Sequence, residues 1–113
     1  MLFRSVSTDA ASLPKETVYW SKIALLDTLG VTLAGANEDC ARILGEVIGS
    51  SAGDCVIVGT RRRASATEAA LINGTAAHAL DYDNATNTMF GHASATMMPA
   101  LLAAAEEIGR AHV

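Results

Sequence analysis

Between His78 and His92 the sequence reads HALDYDNATNTMFGH, placing two histidines, two aspartates, two asparagines, two threonines and a tyrosine within fifteen positions. Such a set admits three chemistries. As a metal site, His78, Asp81, Asp83 and His92 could supply nitrogen and oxygen ligands, but their spacing follows neither the HExxH nor the EF-hand pattern, so no metal is expected. As an acid/base site, a carboxylate that fixes an imidazole makes it a proton carrier near neutral pH. As a binding loop, threonine hydroxyls and asparagine amides hold substrate carboxylates by hydrogen bonds. Against all three stands a plain reading in which Asp81 caps a helix end or turn and His78 is a packed, satisfied histidine. For His78 alone the plain reading is preferred; for Asp81 and His92 together it is not.

The setting of the stretch decides that preference. On either side lie "AALINGTAAHAL" and "ASATMMPALLAAA", segments without a charged residue. Two uncharged helices imply burial, and a polar loop between them is then held at a site inside the protein. His78 and Asp81, three apart, fall on one face at the end of the first of these helices.

Further elements can be read along the chain. Tyr19, Ile23, Leu26, Leu29 and Leu33 recur at steps of three and four, which predicts a helix with that face turned inward. Ser12 is its expected cap, Pro14 suits its first turn and Gly35 its end. Gly30 inside it points to a close helix contact or a bend. A second helix is expected from about Asn37 to Gly49, with Ile43, Leu44, Val47 and Ile48 inward. "CVIVGTRRRAS" then switches to β-branched residues and a charged turn, predicting one short strand or a small hairpin. "SATE" at 65–68 is a capping box that opens a helix running to about Leu80. Its Asn73 and Gly74 lower intrinsic helicity but allow close backbone approach, which suits the centre of a bundle. Met97, Leu101, Ala105 and Ile108 mark a last helix, begun near Thr96 or else kinked by Pro99, and capped at Gly109.

Composition narrows the function classes. The 113 residues are 50% hydrophobic, 18% charged and 4% aromatic, the makeup of one globular domain with an aliphatic core. A net charge of -4 gives no footing for nucleic acid, and Arg61, Arg62 and Arg63 read as a solvated turn. Cys40 and Cys55 fit no metal pattern and are read as small buried thiols in a reducing compartment. Nothing reads as a signal peptide or a membrane span, so a soluble, cytoplasmic protein is expected.

The blocks "ALLDTLGVTLAGA" at 24–36, "EAALINGTAAHALDYD" at 68–83 and "GHASATMMPALLAAAEEIG" at 91–109 closely resemble the N-terminal part of the MmgE/PrpD family. The resemblance covers nearly the whole chain. It implies a mainly α fold, the helical bundle of that family's N-terminal domain with one short β-strand or hairpin near 55–63. It further implies a cofactor-independent, metal-free lyase or isomerase of small di- or tricarboxylic acids, 2-methylcitrate dehydratase-like, and a homodimer in the full-length form. By residue, Asp81 and His92 match family active-site positions, His92 as the proton-transferring or substrate-contacting group and Asp81 as its supporting carboxylate. Asp83 matches the second aspartate, and Thr86 is the candidate for an active-site threonine in a loop one residue longer here; both are expected to bind substrate. Asn84 stands where the family has a third carboxylate and Ala93 where it has proline.

In the family a further histidine and lysines complete the pocket well downstream. Here the two lysines, Lys15 and Lys22, both fall in the first predicted helix. Residues 1–113 are therefore expected to be a partial N-terminal helical domain with little turnover of its own. The other class of reading is a non-catalytic helical interaction module derived from such an enzyme.

Overall fold

The computed structural model describes residues 7–48, 51–88 and 90–111, with the side chains of 110 and 111 set aside. Four helices and one hairpin follow in order: α1 (Lys15–Gly35), α2 (Asp39–Ile48), β1 (Cys55–Val56), β2 (Arg63–Ala64), α3 (Ala66–His78) and α4 (Ala93–Ala111). The fold is mainly α, as expected. β1 and β2 pair antiparallel, Cys55 opposite Ala64 and Val56 opposite Arg63, so the strand signal near 55–63 resolves as a hairpin.

The helix α3 forms the centre, packed against α1, α2 and α4. Its buried residues are Ala69, Ile72, Asn73, Ala76 and Ala77, of which the three alanines are small enough to bring neighbouring backbones close. A Cβ on Gly35 of α1 would overlap the Ala76 carbonyl, and one on Gly74 would sit 3.2 Å from the Ala95 carbonyl of α4. Pro99 offers no N–H to that same carbonyl, four residues earlier in α4. The helix nevertheless begins at Ala93 and runs through Pro99, earlier than Thr96. Gly109 is not its cap either, since α4 continues to Ala111.

Helix α1 turns a face inward that its large apolar residues do not predict. Thr28, Thr32 and Gly35 are buried, while Tyr19, Ile23, Leu26 and Leu33 are exposed. The threonines tolerate burial because each hydroxyl donates back one turn, Thr28 Oγ1 to the Ala24 carbonyl at 2.8 Å and Thr32 Oγ1 to the Thr28 carbonyl at 2.6 Å. A Cβ on Gly30 would meet nothing within 4 Å, so the expected close helix contact is not found there. Nor does Ser12 cap α1: it lies in a short 3-10 turn, Ala10–Ser12, capped by Asp9, and Pro14 stands immediately before the helix without a side-chain cap.

In α2, Leu44 and Ile48 pack on Ile57, Ala64 and Ile72, but Ile43 and Val47 point out; the expected stop at Gly49 lies outside the described residues. The capping box is half formed. Ser65 Oγ accepts from the Glu68 amide at 3.4 Å, whereas the Glu68 carboxylate turns to Ser51, whose amide donates to it at 3.2 Å. Two helix side chains clasp β1. Asn73 donates to the Val56 carbonyl at 2.8 Å and accepts from the Val58 amide at 2.9 Å, and Glu106 accepts from the Val56 amide at 2.8 Å.

The arginine turn is exposed, as expected, and it is also tethered. Arg62 donates to the Gly45 carbonyl at 2.9 Å and Arg63 to the Asp54 carbonyl. Both cysteines are free; Cys55 is buried as expected, but Cys40 is exposed. Among the described residues no helix is long and apolar enough to cross a membrane.

Candidate functional site

The polar stretch connects the C-terminus of α3 to the N-terminus of α4. His78 is the last residue of α3. Beyond it the Asp81 amide donates to the His78 carbonyl at 3.1 Å, and Asp81 itself takes a left-handed conformation with φ 55°. That turn folds the chain back under the helix end. A second closure follows where the Thr86 amide donates to the Gly91 carbonyl at 3.0 Å, next to Phe90, also left-handed at φ 48°. His92 then stands one residue before α4.

Through these turns Asp83, not Asp81, becomes the centre of the cluster. Its side chain is wholly buried, with Oδ1 2.9 Å from His78 Nδ1 and Oδ2 3.1 Å from His92 Nδ1. The aligned hydrogen bond of His92 Nδ1 runs to the Asp83 backbone carbonyl at 3.2 Å, leaving Oδ2 close to the ring but without an aligned donor. A carbonyl and a carboxylate can only accept, so both imidazoles carry their proton on Nδ1 when neutral and leave Nε2 bare. Asp81, exposed, has Oδ1 3.6 Å from His92 Nε2 and 4.0 Å from His78 Nδ1. It can balance charge that arrives on Nε2, but it does not fix either ring.

The hydrogen bond from His78 to Asp83, with the charge of Asp83 behind it, raises the His78 pKa above the ordinary imidazole value. His78 is half exposed and satisfied, rather than packed. The two rings meet edge to face, centroids 4.6 Å apart. Both line a cavity of about 980 Å³ that runs between α3 and α4 past Leu71, Gly74 and Thr75 towards Cys40 of α2.

Of the residues expected at the site, Asp81, Asp83 and His92 converge. Thr86 is half-buried, and its hydroxyl has no partner among the described residues. Donor atoms of His78, Asp81, Asp83 and His92 lie within 4.8 Å of one another, a spacing that could also admit a cation. Sequence reasoning preferred a packed reading for His78 and cast Asp83 as a substrate binder rather than as the shared anchor. The signal was the pair of aspartates two apart after a histidine, but helical spacing singles out the first, and only the left-handed turn at Asp81 brings in the second.

The sequence pattern of the MmgE/PrpD N-terminal domain matches residues 5–112. The chain belongs to this family. The MmgE/PrpD chain is also 27% identical over 106 residues to a cis-aconitate decarboxylase-like protein of Aspergillus oryzae. That match takes in 90% of this MmgE/PrpD chain and 22% of the relative's length, so the chain spans about a fifth of the curated relative. No solved structure matches.

Proposed function

We propose that the chain forms the N-terminal part of a cofactor-independent lyase or isomerase of small di- or tricarboxylic acids, 2-methylcitrate dehydratase-like, in which His92 moves a proton. Family membership supports a lyase- or isomerase-type enzyme, and the fungal relative's name points to the same class of acids. The observation that carries the reading is His92 at the cavity wall, its Nδ1 held by Asp83 and its bare Nε2 beside Asp81.

The difficulty shared by such reactions is removing or returning a proton on carbon beside a carboxylate. A neutral imidazole with Nε2 free takes that proton, and Asp81 at 3.6 Å balances the imidazolium formed. Asp83 acts from beneath through the histidines, while Thr86, its hydroxyl buried and outside the cavity lining, is assigned no contact with substrate. No lysine or arginine lines the cavity among the described residues, so the cations for a multiply charged acid come from elsewhere in the full-length protein, and these 113 residues alone have little turnover. A cytoplasmic homodimer completes the proposal, supported by the exposed apolar residues of α1 and α4.

The same lack of cations favours the second reading, a helical interaction module without catalysis. The deciding experiment follows the His92 side-chain resonances of the labelled chain during titration with 2-methylcitrate and cis-aconitate, with citrate as control. The enzyme reading expects a saturable, acid-specific shift. A folded chain in which neither acid moves His92 would leave recognition to the cations supplied elsewhere and the enzyme reading to family membership alone.

A further inference from the structure

His78 has no task in the mechanism above, yet it shares the anchor of His92. One buried carboxylate faces two imidazoles, at 2.9 Å and 3.1 Å, and the rings stand 4.6 Å apart. A single negative charge balances one imidazolium, and a second so close meets repulsion. Asp81 is the other charged group facing the pair, and Cys40 is the titratable group on the far wall of the cavity.

The geometry points to His78 as a second catalytic acid/base residue, coupled to His92 through Asp83, so that one imidazole accepts a proton from the substrate while the other delivers one. The inference rests on the proton-transfer reading above. Both rings line the same cavity, and half-exposed His78 can exchange protons with solvent. His78 Nδ1 is bonded to the Asp83 carboxylate at 2.9 Å while His92 Nδ1 is bonded to the Asp83 backbone carbonyl, so His78 is the better-paired imidazolium and serves as the acid, with His92 as the base. In a dehydration, His92 Nε2 takes the proton from the carbon beside a carboxylate and the C–H electron pair becomes the new C=C bond. The C–O pair leaves with the hydroxyl oxygen, which takes a proton from His78 and departs as water. His92 is left protonated and His78 neutral, and exchange with solvent restores the pair.

The test follows the His78 side-chain resonances of the labelled 113-residue chain against pH, in the wild type and in His92→Gln. Coupling expects two titration steps about one pH unit or more apart in the wild type, and in His92→Gln one step with its midpoint moved upward. A single wild-type step that His92→Gln leaves in place would overturn the inference. Should the variant not fold, the wild-type curve decides alone. Adding cis-aconitate separates this inference from the reading beneath it. Saturable shifts of both histidines at one midpoint support His78 as a substrate-contacting group. A shift of His92 alone overturns the role of His78 and spares the enzyme reading; where neither shifts, for want of the cations supplied elsewhere, the pH curves decide.

Discussion

His78 and His92 stand edge to face, 4.6 Å between ring centroids, above the buried carboxylate of Asp83. They stand at the end of α3 and just before α4, and the loop between them doubles back with left-handed residues at Asp81 and Phe90.

The first prediction concerns pH. Because the His78 pKa is raised on folding by Asp83, its contribution to stability is fully present below the ordinary imidazole value of about 6.5 and is lost as pH rises through the raised value. Urea denaturation between pH 5 and 9 should show stability falling across that window. Asp83→Asn should flatten it, and an unchanged slope in the variant would assign the effect to another group.

Two glycines of α1 should respond in opposite directions. Gly35→Ala drives a methyl into the Ala76 carbonyl, and overpacking of that kind costs about 1–3 kcal/mol. Gly30→Ala enters open space and should stabilise by about 0.5–1 kcal/mol through helix propensity. Chemical denaturation of both variants checks the pair, and similar effects from the two would contradict the crossing of α1 and α3.

Asn73→Ala strips the Val56 carbonyl and the Val58 amide of their partner, and part-buried groups left unpaired cost about 1–3 kcal/mol. Hydrogen exchange should quicken at the Val58 amide before it does in the body of α3. Equal quickening in both would mean that the whole domain had loosened.

Trp20 is exposed on α1, edge-on to Tyr19 at 5.3 Å. If that ridge packs against a second copy, as the proposed homodimer allows, Trp20 emission should shift to the blue as concentration rises, with the transition matching the mass change in sedimentation. Dimer formation without a spectral change would place the interface elsewhere.

Element order and the central position of α3 were legible because caps, turns and β-branched runs are local signals. The inward faces of α1 and α4 were not. Periodicity assigns burial to large apolar side chains, but these helices approach through Thr28, Thr32, Gly35, Ala95 and Ala103, where smallness permits contact, and Tyr19, Leu26, Met97 and Leu101 are left outside. At the site the polar stretch announced itself through its uncharged flanks. Helical spacing from His78 then pointed to Asp81, and the true anchor depended on backbone reversal that residue types alone do not specify.

The clasp on β1 reaches further than the hairpin. Asn73 belongs to α3 and Glu106 to α4, and both grip Val56, so a two-residue strand works as the pin of a pair of tongs whose arms are the two helices. The grip is on main-chain atoms of Val56, so only changes at Asn73 or Glu106 release it, and Glu106→Ala frees α4 from the strand without touching a residue of the histidine cluster.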